Sequence, residues 1–242
     1  MDSLLRFRVR STLLVGSLVL GAVVATISSA AGATSQSASS LAASALKNAE
    51  SGGWVHEVVI TTSKGVIARH ATNNIGASES VQVGTTSRGG AATVIAFNQR
   101  NVLYVHANSE ALSKTFKLSA TTAHQYANEW LRLPSSNAHY AAASAGATLT
   151  SHFGALQFSG PVTWGPVGTL SGVRVRAITG TIPATTVSPK YQATLYVTTS
   201  GTVLPVGLRE VSGTTDVTVE WSNWGHAYAI SVPSRAITFP VA

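Results

Sequence analysis

The chain of 242 residues has no cysteine, one methionine and only 10% charged residues. Without cysteine there are no disulfides, so a core of sufficient size must supply the stability. There is also no thiol after a leader for the acylation that anchors bacterial lipoproteins. Sparse charge makes folding depend on apolar burial and backbone pairing. Acidic residues are scarcest: beyond residue 33 they are Asp216 and seven glutamates, Glu50, Glu57, Glu79, Glu110, Glu129, Glu210 and Glu220. No two stand at a spacing for paired acid–base chemistry, and there are too few for a calcium loop.

Other catalytic signatures are missing as well. In Gly168-Thr169-Leu170-Ser171-Gly172 the serine falls one place too late for a nucleophile elbow, and the segment reads as a turn before a strand. His56-Glu57 opens like a zinc-protease helix, but Val58-Val59-Ile60 follows where the second histidine belongs. The histidines (His56, His70, His106, His124, His139, His152 and His226) are scattered; a pair such as His152 and His226 could meet in space, but a scattered histidine is more often a surface or hydrogen-bonded core group than a ligand. The sequence therefore calls for no enzyme, no metal and no cofactor. A hydrolase of the cell envelope is a distant alternative, carried by Glu57, Glu129 or Asp216.

The first residues have the order of an export signal. Arg6, Arg8 and Arg10 precede a small and apolar run from Ser11 to Ala31, and Ala31-Gly32-Ala33 has the form of a cleavage site. The expectation is a signal peptide at residues 1–33 with a mature start at Thr34. The alternative is an uncleaved membrane anchor, since the run approaches the roughly 20 residues that span a bilayer. Residues 34–40, rich in Ser, Ala, Gln and Thr, read as a flexible tether, and residues 41–242 as one domain. Removing three basic residues and one acidic residue takes the net charge from +7 to +5. That modest excess suits an anionic lipid or wall polymer, and no DNA-reading motif accompanies it.

What is present is alternation. From Tyr191, apolar Tyr191, Ala193, Leu195 and Val197 alternate with polar residues; Ser200-Gly201 and Ser212-Gly213 break the pattern, and Val217, Val219 and Trp221 resume it. This is a meander of three or four antiparallel strands with one apolar face. Shorter strands are expected over Trp54 to Thr61, Val66 to His70, Ser80 to Thr85, Ala92 to Phe97 and Val102 to Ala107, with Asn73-Asn74-Ile75-Gly76 as one of the turns. A helix is expected from Leu41 to Glu50. Two more are expected in the middle: Ser119 to Asn128, running on to Pro134, and Asn137 to Leu156, with Gly146 as a kink. Strands, two helices, then strands give an α+β fold, with the helices grouped on one face of a large antiparallel sheet.

The segments WVHEVVITTS, RNVLYVHA, ANEWLRLP, GTLSGVRVRAITGTI, YQATLYVTTSGTVLPVGL and VTVEWSNWGHAYAISVP occur in that order between Leu41 and Pro233. In this the chain resembles the mycobacterial LprG/LppX-type lipid-binding lipoproteins of LolA/LolB-like fold, departing from them in the missing lipidation cysteine. The resemblance implies a strongly curved antiparallel half-barrel whose concave face is covered by helices. It also implies a non-enzymatic, monomeric, extracytoplasmic binder or carrier of acylated lipids or glycolipids, acting at the cell envelope. A membrane-anchored sensor of the same fold is the alternative. No polar binding motif carries over, so the expected cavity wall comes from strand alternation: Val81, Val83, Ile95, Phe97, Leu195, Val197, Val217 and Val219, faced by Tyr126, Leu149 and Phe153.

Overall fold

The computed structural model describes residues 36–97, 100–183 and 190–240. The export signal, the cleavage site and the start of the tether lie outside them. From Ala38 the tether is already helix: α1 (Ala38–Glu50) begins at Ser37, whose hydroxyl accepts from the Ser40 amide at 3.1 Å.

The next five strands form a meander, β1 (Trp54–Ser63), β2 (Val66–Gly76), β3 (Glu79–Thr86), β4 (Ala91–Phe97) and β5 (Val102–Ala107). Two short helices, α2 (Ser109–Lys114) and α3 (Ala120–Gln125), lead to β6 (Trp130–Pro134). After α4 (Tyr140–Ala143) and α5 (Leu149–Phe153) a second meander follows: β7 (Ser159–Leu170), β8 (Val173–Ile182), β9 (Tyr191–Thr198), β10 (Pro205–Ser212) and β11 (Thr215–Ser222). A two-residue strand, β12 (Ile237–Thr238), is the last element among the described residues. All twelve strands make one open, curved sheet in the order β12-β6-β5-β4-β3-β2-β1-β11-β10-β9-β8-β7. Among the described residues only the β12–β6 pair is parallel. The fold is thus α+β, with the helices on the concave face.

Each face of the sheet is crossed once by the chain. Between β6, near one edge, and β7, at the other, residues 135–158 traverse the concave face and carry α4 and α5 with them. Two cores result. One packs α1 and α5 on β1, β2 and β8–β11, with Leu149, Phe153, Ile178 and Leu195 almost fully buried. The other packs α2, α3 and α4 on β4–β6 around Leu103, Leu112, Leu131 and Leu133. Burying each such large side chain is worth about 1.5–3 kcal/mol. On α1 the buried stripe is Ala42, Ala45, Leu46 and Ala49, small enough for the helix to lie close to α5.

The second crossing covers the convex face. Residues after β11 run back toward β6: Tyr228 rings sit 5.9 Å from Trp54 and 6.3 Å from His56, and Ile230 and Ala236 pack on Ile95, Phe97, Val102 and Tyr104. β12 then pairs with β6, and Phe239 enters the second core.

Three sequence expectations are corrected here. Trp130–Pro134, expected as the end of a helix, is strand β6, because Leu131 and Leu133 alternate with Arg132 and fill the core from one side. The expected helix from Asn137 to Leu156 is two short helices, since Gly146 between them adopts φ +75°, outside the helical region. Asn73-Asn74-Ile75-Gly76 is strand: Asn73 and Asn74 point to opposite faces, where each side chain finds a partner across the pair with β1.

Candidate functional site

A row of polar side chains crosses the concave face from β11 to β3. Register places Trp221 of β11 beside Glu57 of β1, Glu57 beside Asn73 of β2, and Asn73 beside Gln82 of β3. Glu57 sits at inward parity between Val55 and Val59, so its carboxylate is buried, with 1% of the residue exposed. A lone buried carboxylate would be costly, and this one is partnered on both oxygens. Asn73 Nδ2 donates to Oε1 at 2.6 Å, and Trp221 Nε1 donates to Oε2 at 2.8 Å. His152 Nε2 lies 2.6 Å from Oε2.

His152 comes from above the sheet. Thr148 and Ser151 form a reciprocal capping box that starts α5, and the turn then aims His152 down at Glu57. Its ring packs edge-on against Trp221 at 6.3 Å, and its Nδ1 faces Gly146, where an added Cβ would come within 3.4 Å. Burial pushes the Glu57 carboxyl up, but the charge and hydrogen bond of His152, with the bonds from Asn73 and Trp221, outweigh it and hold the group below its ordinary value. Glu57 is therefore ionised at neutral pH.

Around this row is a cavity of about 300 Å³, bounded by β1–β3, β9–β11, α5 and the residues flanking it. Val59, Ile75, Leu156, Leu208, Val217 and Val219 supply its apolar wall, and Glu57, Asn73, Gln82, His152, Tyr191 and Glu210 its polar side. Asn73 Oδ1 has no hydrogen-bond partner although Asn73 is only 6% exposed. Thr61 Oγ1 and Ser80 Oγ, at inward parity on the neighbouring strands, are also without partners.

The expected wall residues separate into three groups. Val217 and Val219 line the cavity. Leu195, Val197, Leu149 and Phe153 belong to the same first core but do not border the cavity, and Tyr126 packs on the second core. Val81, Val83, Ile95 and Phe97 are corrected: they lie on the convex face, where Val81 packs under the returning C-terminal segment with Ile95 and Phe97, while Val83 is 43% exposed. The inward set on these strands is Ser80, Gln82, Val94 and Ala96. Their parity misleads because β4 is covered on both faces, so its outer residues are as apolar as its inner ones.

The polar row itself went unread in the sequence. A glutamate at inward parity between two valines was the available signal, since a charge is buried only when paired. Its partner could not be located: His152 meets Glu57, while His226 packs on Tyr228 on the other side of the sheet.

A carboxylate–imidazole pair orients a general base in many hydrolases, and among the described residues no hydroxyl is hydrogen-bonded to the His152 ring. Ser151 Oγ is held by Thr148 in the capping box, and no hydrogen bond joins it to His152. Among the described residues no group of three or more His, Cys, Asp or Glu could hold a metal ion, and no helix is long and apolar enough to cross a membrane.

No protein-family profile and no curated protein sequence matches the chain. Solved structures do. LprF from Mycobacterium bovis superposes with a TM-score of 0.53 at 13% identity, over 81% of this chain and 96% of that one. The lipoprotein LppX from Mycobacterium tuberculosis superposes with a TM-score of 0.50 at 16% identity, over 79% of this chain and 98% of that one. At such identities the likeness is one of fold, and the fold of this chain is the large, open, curved sheet of the LprF and LppX structures.

Proposed function

We propose that the protein binds an acylated lipid in the cavity between the concave face and α5, without enzymatic chemistry. The observation that carries this reading is the cavity itself. Between the sheet and α5, within the first core, about 300 Å³ is left to a wall of Val59, Ile75, Leu156, Leu208, Val217 and Val219. Protein interiors are packed to the density of organic crystals, so a space of this size with an apolar wall is a binding site by default. Its volume lies at the small end for ligand pockets and suits one chain better than several. Burying about ten methylenes there contributes on the order of 8 kcal/mol before ordering costs.

The export signal expected at residues 1–33 supports binding outside the cytoplasm, and the fold shared with the lipoprotein LppX agrees with a cell-envelope setting. A carrier must also meet the bilayer that holds its cargo. No acidic residue occurs between Glu129 and Glu210, while Arg132, Arg174, Arg176, Lys190 and Arg209 do. Within that stretch the β7–β8 hairpin exposes Trp164 (40%), Val167 (47%) and Val173 (40%), and the Arg176 guanidinium sits 4.5 Å from the Trp164 ring centre. Aromatic, aliphatic and cationic groups together fit an anionic membrane surface.

Titration with a fluorescent fatty-acyl probe tests the reading. Wild-type protein should bind it saturably, and Val217→Trp, which fills the wall, should bind it at least about tenfold more weakly while keeping its fold. Equal binding by both proteins places the acyl chain elsewhere and rejects this site.

A further inference from the structure

At the β7 edge of the concave face, outside the lining of the cavity, two arginines stand side by side. Arg176 pairs with Val167 of β7 and Val197 of β9, and Val197 belongs to the first core, so the Arg176 side chain is on the concave side. Period two puts Arg174, opposite Thr169, on the same side about 7 Å along the strand. The Arg176 guanidinium lies over the Trp164 ring, 4.5 Å from its centre, and its Nε is shielded from water without a hydrogen-bond partner. A charged donor left in that state is costly. Among the described residues no carboxylate pairs with either arginine. Glu220, the carboxylate at the hairpin turn, accepts from Ser171 Oγ and lies on the convex side, since it alternates with the buried Val219 and Trp221.

We propose that Arg176, with Arg174 beside it, is a site for the phosphate of a membrane phospholipid, whose glycerol and first methylenes lie against Trp164 and Val167. This rests on the membrane contact proposed above and deepens it, from attraction by charge to recognition of one group. Arginine offers Nε–H and Nη–H as a planar fork that two phosphate oxygens fill together, and an aromatic ring stacked on its face leaves that plane open. A phosphate oxygen supplies the acceptor that Arg176 Nε lacks. Arg174 adds a second positive charge on the same side of the strand. Trp164 and Val167, 40% and 47% exposed on that side, favour a phosphate that carries a lipid over one free in solution.

A change of shape at constant charge decides it. Wild-type protein and Arg176→Lys, both checked by thermal unfolding, are floated with phosphatidylglycerol vesicles over a range of lipid concentrations. Lysine keeps the charge but has neither the fork nor the flat face. The expected result is that Arg176→Lys binds at least about tenfold more weakly. Equal binding by the two proteins means that charge alone acts, which overturns the phosphate site and leaves the membrane contact in place. No binding by the wild type overturns both. The arginine Nε–H resonances of the wild-type protein give a second reading that does not need the variant to fold. Monomeric dihexanoyl phosphatidylglycerol should shift that of Arg176, and inorganic phosphate at the same concentration should shift it much less. An unmoved resonance with the lipid overturns the site, and an equal shift with inorganic phosphate overturns the phospholipid as its occupant.

Discussion

His152 Nε2 and Glu57 Oε2 stand 2.6 Å apart and tie the short helix α5 to the middle of the sheet. This contact closes the roof of the cavity over its polar row. Removing the imidazole leaves Glu57 buried with its hydrogen bonds from Asn73 and Trp221 but without its contact to His152. His152→Ala is expected to cost about 3 kcal/mol, the low end for breaking a buried pair, because His152 is partly open to solvent. Glu57→Gln should cost less, since its amide oxygen still accepts from Trp221 and its NH₂ can donate to a flipped Asn73. Urea unfolding of both variants measures the order, and a larger loss for Glu57→Gln would contradict it.

The same pair sets the acid response. Because Glu57 is held below its ordinary value in the fold, its contribution is complete above the unfolded-state pKa, about 4.3 for a free glutamate, and is lost as the pH falls through the folded value. Stability followed by thermal unfolding should therefore drop below about pH 4.3 in the wild type. Glu57→Gln should flatten that part of the profile. An identical acid slope in the variant would show that other carboxylates cause the fall.

Packing and cavity positions should respond oppositely to an added indole. Leu195 is 1% exposed in the solid core, so Leu195→Trp overpacks it and should cost about 1–3 kcal/mol or more. Val217 borders the empty volume, so Val217→Trp should stay within about 1 kcal/mol of wild type. Thermal unfolding of the two proteins side by side checks the contrast. Equal destabilisation would mean that the space beside Val217 cannot take the ring.

How much of this was legible in the sequence depends on what each face of the sheet touches. Tyr191, Ala193, Leu195 and Val197 alternate with polar neighbours because one face of β9 meets the core and the other meets water, so strand and inward set can both be read. Ile95 and Phe97 lie under the C-terminal segment on the outer face, while Val94 and Ala96 fill the inner one, and no local pattern says which pair faces the helices. The break at Gly146 was visible as a glycine; that it ends one helix and lets Thr148 cap another depends on the crossing from β6 to β7. Glu57 lies on β1 and His152 within that crossing, far apart in the sequence, which is why a site made of them has no local signature.

The returning C-terminal segment should be a structural part of the domain. A chain shortened after Asn223 loses Ile230 and Ala236 from the outer face and exposes Ile95, Phe97, Val102 and Tyr104, together with the β6 edge. Its midpoint of thermal unfolding should fall, and it should bind a hydrophobic dye that the full chain does not. An unchanged midpoint would mean that the strap adds nothing to stability.

Contact with anionic bilayers is testable by flotation. Arg174→Glu combined with Arg176→Glu should abolish recovery with phosphatidylglycerol vesicles at low salt, and raised salt should do the same to the wild type. Recovery of the double variant equal to wild type would assign any membrane contact to another surface.

The account's central claim is that an acyl lipid occupies the cavity walled by Val59, Ile75, Val217 and Val219. Native mass spectrometry of the protein purified from its own host, beside Val217→Trp purified in the same way, measures this directly. The account predicts a wild type carrying the mass of one acylated lipid and a folded variant largely without it. A wild type free of lipid, and no less stable for it, would contradict the claim.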